Sequence, residues 1–169
     1  MDEIKFLTQM IGFVSFLSAA LSSAWWGGVQ NRSDSKRAWC TCAGLLLLMA
    51  LEIWLGARHE LHHQISTWLQ AQGSYDQRWG VQVYLIAVLI SLLLLALLYF
   101  INRARGAPLE KAACVGVLAL LTLFMIETVS LHGVDALLYR PVGAILVIGY
   151  LWAFGAASVA VLAFFSRRR

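Results

Sequence analysis

Five long stretches of almost uninterrupted apolar residues dominate the chain, separated by short polar segments. Each stretch is close to the roughly 20 residues that an α-helix needs to cross the hydrocarbon core of a bilayer. The first, third and fifth contain no charged residue, the second contains only Glu52 and the fourth only Glu127. We therefore predict five transmembrane helices, at positions 6–26, 38–57, 81–101, 112–131 and 141–165.

The fold class follows from the length and composition of these stretches. They are leucine- and alanine-rich and do not alternate, so they are not strands, and lipid admits only helices or closed barrels. At 60% hydrophobic residues, the chain has more apolar sequence than a soluble core of 169 residues could bury. We predict one all-α domain over residues 1–169, a polytopic membrane helix bundle. The segment 58–80 has a helical apolar period and is predicted to be an amphipathic helix on the outer surface.

The distribution of positive charge predicts the orientation. Of the 13 Lys and Arg residues, only Lys5, Arg58, Arg78 and Arg140 lie on the N-terminal side of the predicted spans. Cytoplasmic loops carry the excess of Lys and Arg, so we expect the N-terminus outside and the C-terminus in the cytoplasm. Contact with anionic headgroups explains the basic loops, and no nucleic-acid partner is expected.

Under this topology all four histidines lie on the outer side of the membrane. His59, Glu60 and His63 form the pattern His-Glu-x-x-His, in which two imidazoles four residues apart on a helix can bind one metal ion. Glu60 would then be the catalytic general base that activates a metal-bound water. The spacing of Glu60 and His63 also matches helical di-iron sites, so we expect zinc or iron.

Four further residues are predicted to complete the metal site. An ionisable residue inside a membrane helix is a functional candidate by default. Glu52 and Glu127 occupy matching depths in two spans that run in the same direction, and His132 and Asp135 follow the second of these spans. The predicted metal ligands are therefore His59, His63, Glu52, Glu127, His132 and Asp135.

Other interpretations of the same residues stay open. The histidine segment is also explained by solvated side chains on a surface helix, and each glutamate by one interhelical hydrogen bond. We rank a haem held by histidines, or a quinone pocket, below zinc or iron as the cofactor. Sequence alone does not decide whether the protein is an enzyme.

The cysteines and glycines add two expectations. Cys40, Cys42 and Cys114 lie at predicted cytoplasmic helix ends, where thiols stay reduced, which argues against a quinone-linked disulfide oxidase. They are interpreted as small buried side chains, with a Cys-x-Cys metal site as the alternative. The fifth stretch contains Gly143, Gly149 and Gly155, and such small residues let helices approach closely in lipid.

Two short segments resemble parts of small uncharacterised bacterial multi-pass membrane proteins. The first is Gln72-Gly73-x-Tyr75-x-x-Arg78-x-x-x-Gln82, and the second runs from Ser130-Leu131-His132 through Asp135 to Tyr139-Arg140. The resemblance implies a location in the bacterial inner membrane. It implies no activity and assigns no site residue.

Our leading functional hypothesis is an outer, periplasmic-face site that binds a metal ion or handles protons. One alternative is a non-catalytic subunit or assembly factor that binds a larger membrane protein complex. Another is a small channel or transporter, which would have to be a homo-oligomer because one five-helix bundle leaves little room for a pore.

Elemental analysis of detergent-purified protein tests the metal hypothesis. We expect about one zinc or iron per chain in the wild type, and its loss in a His59→Ala/His63→Ala double variant, because both imidazoles are predicted ligands. An optical spectrum with a Soret band would instead indicate haem. Protein that was never exposed to chelator and contains neither metal nor chromophore would contradict the metal site.

Overall fold

The computed structural model describes residues 2–30, 33–56, 108–129 and 132–166, and thirteen separate positions between 60 and 98. Almost all of these residues are helical. The helices are α1 (Asp2–Val29), α2 (Ser33–Leu55), α3 (Pro108–Val129), α4 (His132–Leu138) and α5 (Val147–Ser166), and two short strands, β1 (Pro141–Val142) and β2 (Ile145–Leu146), precede α5.

Four of the described helices are long and apolar enough to cross a membrane, which confirms a helical membrane protein. They cover Glu3–Val29, Ser33–Leu55, Pro108–Glu127 and Val147–Ser166 and correspond to the predicted first, second, fourth and fifth spans. The predicted third span and the predicted surface helix at 58–80 lie mostly outside the described residues and stay predictions. The described positions from 80 to 98 are all helical and exposed.

The prediction for the start of the fifth span was wrong. Residues 141–146 form a small antiparallel hairpin, with Pro141 opposite Leu146 and Val142 opposite Ile145, and the helix begins only at Val147. Gly143 has a φ of 62°, in the left-handed region that two-residue hairpin turns favour and that a glycine adopts at no steric cost. Gly143 therefore makes a turn, whereas the sequence suggested a helix contact.

The long helices form a closed ring in the order α1, α2, α3, α5. Helix α1 packs along α2 and α5, α3 packs along α5, and α2 contacts α3. Helix α2 runs antiparallel to α1, α5 runs parallel to α1, and α3 runs antiparallel to α5. Gly12 lies near Ile53 and Gly27 near Trp39, which makes α1 and α2 antiparallel. Thr8 lies near Gly149 and Gly12 near Trp152, which makes α1 and α5 parallel. Gly116 lies near Val159 and Leu120 near Gly155, which makes α3 and α5 antiparallel.

These directions place the end of α2 and the start of α3 at opposite ends of the bundle. Leu55 lies at the end where α1 begins, and Pro108 lies at the end where α1 finishes. The described helices on either side of residues 57–107 therefore meet that segment at opposite ends of the bundle, and the third span stays a prediction.

Three aromatic rings meet inside the ring of helices. Phe16 of α1, Phe124 of α3 and Trp152 of α5 have ring centroids 5.8 to 6.3 Å apart, which is the separation at which aromatic pairs attract. Phe16 and the neighbouring Leu46 of the same core cluster are fully shielded from the surroundings. This aromatic cluster joins three helices that are far apart in the sequence.

Glycines bring the helix backbones close together around this cluster. A Cβ on Gly12 would lie 2.5 Å from Cε3 of Trp152, and one on Gly155 would lie 2.5 Å from Cδ2 of Leu120. A Cβ on Gly149 would lie 2.9 Å from Cγ2 of Thr8. The expectation that Gly149 and Gly155 allow close packing is thus confirmed.

We expect Gly12→Ala to destabilise the protein, because the added methyl group would overlap the rigid indole of Trp152. Overpacking of a core costs about 1–3 kcal/mol, and the better helix propensity of alanine offsets only part of this. The measurement is the thermal unfolding midpoint in detergent.

Gly44→Ala is the matched control for this substitution. Gly44 is also inside a helix, but nothing lies within 4 Å of its Cβ position, so alanine should be neutral or stabilising there. An equal effect of the two substitutions would contradict the close packing at Gly12.

Candidate functional site

Besides Asp2 and Glu3 in the first turn of α1, three acidic residues lie at one end of the bundle, where α1 and α5 begin and α2 and α3 finish. They are Glu52 near the end of α2, Glu127 near the end of α3 and Asp135 in α4. We call this end, defined by these three residues, the acidic end. Placement of Glu52 and Glu127 at one end agrees with the matching depths that the sequence suggested.

The best-defined contact at the acidic end joins Glu127 to Tyr139. The Tyr139 hydroxyl donates a hydrogen bond of 2.6 Å to Oε1 of Glu127. Glu127 is 8% exposed, so its carboxyl is held inside the protein. A distance of this length is typical of hydrogen bonds between a hydroxyl group and a carboxylate.

Helix α4 makes this contact possible because it turns the chain back towards α3. Helix α3 ends at Val129, and the short α4 ends one residue before Tyr139. The backbone N–H of Tyr139 bonds to the carbonyl of Asp135 at 2.8 Å and extends the last turn of α4. The side chain of Leu138 is buried in the core and anchors the same turn.

The hairpin fastens this turn to the rest of the bundle. The N–H of Val147 bonds to the carbonyl of Arg140 at 3.1 Å, and the N–H of Leu146 bonds to Oγ1 of Thr8 at 3.0 Å. The Thr8 hydroxyl in turn donates to the carbonyl of Ile4 at 2.7 Å. Thr8 is buried and thereby links the first turns of α1 to the segment that positions Tyr139.

Glu52 lies in the last turn of α2. Gly56 follows the helix with a φ of 64°, and its N–H bonds to the carbonyl of Glu52 at 2.8 Å, which is a common way for a glycine to end a helix. The Glu52 side chain is half-buried, and its Oε2 atom is shielded from the surroundings. The Glu127 side chain and one carboxyl oxygen of Glu52 are therefore shielded from the surroundings.

The described structure covers only part of the predicted metal site. His59 and His63 lie outside the described residues, and His132 is the first residue of α4. Glu60, the predicted general base, is exposed and accepts a hydrogen bond of 2.9 Å from Nε2 of Gln64. Within the described part of the chain, no group of three His, Cys, Asp or Glu residues could hold a metal ion. The metal site stays a prediction.

Sequence reasoning missed two contacts of chemically active side chains. Tyr139 was not among the predicted site residues, although the hydroxyl of a tyrosine at a membrane helix end needs a partner when it is buried. A pair of thiols was also missed: Sγ of Cys42 lies 3.7 Å from Sγ of Cys114 near the other end of the bundle. Cys40 is exposed while Cys42 is buried, so these two point in different directions, unlike the ligands of a Cys-x-Cys site.

Comparison with known proteins adds no assignment. No family model, no curated protein and no solved structure matches the chain. The functional proposal therefore rests on the contacts of the described residues.

Proposed function

We propose that this membrane protein takes up and releases a proton at the acidic end, and that Glu127 and Tyr139 together carry that proton. The observation that supports the proposal is the hydrogen bond of 2.6 Å between the Tyr139 hydroxyl and a buried carboxyl in a membrane-spanning helix. We further propose that the acidic end faces the periplasm of a bacterial inner membrane, as the excess of Lys and Arg on the opposite side favours.

The energetic cost of Glu127 favours a role in proton chemistry. A carboxyl group inside a membrane is expensive in its charged form, and such residues commonly mark proton or ion pathways. A purely structural hydrogen bond to Tyr139 would need only a neutral acceptor, such as a glutamine. Glutamate adds the ability to change charge, and this is the property that the proposal uses.

Tyrosine is a suitable partner because its hydroxyl group both donates and accepts. The hydrogen bond in the structure runs from the phenol to a carboxyl oxygen, and an ionised Glu127 can only accept it. With Glu127 protonated, the carboxylic acid becomes a donor and the phenol oxygen an acceptor. The pair therefore stays hydrogen-bonded in both states, which lowers the cost of changing between them.

The position of the pair keeps the path to solution short. Glu127 is two residues from the end of α3, and Glu52 is three residues from the end of α2. At 1.5 Å per residue each glutamate is less than about 5 Å from its helix end. Arg140, next to Tyr139, is exposed. Protons could thus exchange with the aqueous phase at the acidic end without crossing the bundle.

The same contact puts proton handling ahead of metal binding. A metal ion at Glu127 would have to share the carboxyl with the Tyr139 hydroxyl or displace it. The metal site, the role as subunit or assembly factor, and the channel stay predictions from the sequence.

Infrared difference spectroscopy during a pH titration tests the proposal. In protein reconstituted in lipid, we expect a carboxyl band in the difference spectrum between acidic and alkaline pH, because a carboxylic acid and a carboxylate absorb at different frequencies. The band should disappear in Glu127→Gln, which keeps the shape and an acceptor atom but cannot titrate. It should shift in frequency in Tyr139→Phe, which removes the hydrogen-bond donor.

Glu60→Gln is the matched control, because Glu60 is an exposed glutamate whose N–H bonds to the carbonyl of Gly56, just beyond the end of α2. Its substitution should leave the buried carboxyl band unchanged. A spectrum of Glu127→Gln identical to that of the wild type would mean that Glu127 keeps one protonation state throughout, and the proposal would fail.

A further inference from the structure

Two cysteines from different helices are in contact in the half of the bundle opposite the acidic end. Sγ of Cys42 in α2 lies 3.7 Å from Sγ of Cys114 in α3, and the two residues are 72 positions apart in the sequence. This distance is van der Waals contact between sulfur atoms, so no other group separates them. The pair is distinct from the Glu127 and Tyr139 contact and does not depend on its function.

The two thiols differ in accessibility. Cys42 is 2% exposed, whereas Cys114 is only half-buried. A small uncharged oxidant can therefore reach Cys114 first, and Cys42 is then the nearest thiol. Cys40 is exposed on a different face of α2 and is not part of the pair.

A cross-link between the two cysteines would join two helices that otherwise have few contacts with each other. Helices α2 and α3 contact each other less extensively than α2 contacts α1 or α3 contacts α5. A covalent bond here would join the least tightly packed neighbours in the ring. It would also restrain the two helices that carry Glu52 and Glu127.

We propose that Cys42 and Cys114 are a redox-modification site. Oxidation by a peroxide joins the two cysteines in a reversible disulfide between α2 and α3. The Cys114 thiol is oxidised by the peroxide to a sulfenic acid, which breaks the O–O bond and releases one water molecule. The Cys42 sulfur then attacks the Cys114 sulfur, and the sulfenic oxygen leaves as a second water molecule. Two thiols thus lose two electrons and two protons, and one hydrogen peroxide is reduced to two waters.

A disulfide needs the sulfur atoms about 2.0 Å apart, so closure requires a modest rotation of the side chains and a small approach of the helices. Sulfur atoms already in contact need little movement. A position towards the cytoplasmic ends of the two helices, expected from the sequence, suits such a bond, since disulfides on the cytoplasmic side are usually transient and redox-sensing.

The test uses the full chain in detergent with the exposed thiol removed, as Cys40→Ser. The reduced protein is treated with hydrogen peroxide, denatured, labelled with a maleimide and analysed by mass spectrometry after digestion without reductant. We expect both remaining thiols to be lost together, with one cross-linked pair of peptides containing Cys42 and Cys114. Dithiothreitol should restore both thiols.

Two further variants separate a disulfide from independent oxidation. In Cys40→Ser/Cys42→Ala the remaining Cys114 should stop at sulfenic acid or oxidise further, with no cross-link within the chain. In Cys40→Ser/Cys114→Ala the shielded Cys42 should react much more slowly. Complete oxidation of the Cys40→Ser protein without a cross-linked peptide, or thiols that both stay free at a peroxide concentration that oxidises Cys40 in the wild type, would overturn the proposal.

Discussion

The close approach of α1 and α5 at Gly12 and Trp152 is the contact on which the arrangement of the other helices depends. In lipid, apolar side chains gain little by leaving their surroundings, so helices associate through dense packing and a few hydrogen bonds. The absence of a side chain at Gly12 lets the indole of Trp152 reach the centre, where it meets Phe16 and Phe124. These three aromatic side chains connect three of the four long described helices. The fourth, α2, packs against α1.

This packing determines which chemical groups meet. Because α1 and α5 run one way and α2 and α3 the other, the acidic end collects Glu52 and Glu127, while Cys42 and Cys114 meet near the opposite end. The hydrogen bond from Leu146 to Thr8 holds the hairpin against α1. The hairpin and α4 then keep the Tyr139 hydroxyl on the Glu127 carboxyl, which is the contact that supports a proton-handling role.

Long apolar stretches were sufficient to predict the four described spans and the matching depths of Glu52 and Glu127, since lipid leaves few alternatives to a helix. The hairpin at 141–146 was missed because its strands are as apolar as the start of a span. The partner of Glu127 was missed because it depends on where α4 ends. The thiol pair depends on contact between helices that begin 75 residues apart, which no local pattern encodes.

A double-mutant cycle on the unfolding free energy in detergent is the most direct test of the Glu127 and Tyr139 contact. We expect Glu127→Leu and Tyr139→Phe to be coupled by about 1–3 kcal/mol, because each removes the partner of a polar group that is at least partly buried. Tyr150 also donates a hydrogen bond, to the Val142 carbonyl at an exposed position, so Tyr150→Phe should combine additively with Glu127→Leu within about 0.5 kcal/mol. A coupling between Glu127 and Tyr139 no larger than this control would contradict the account.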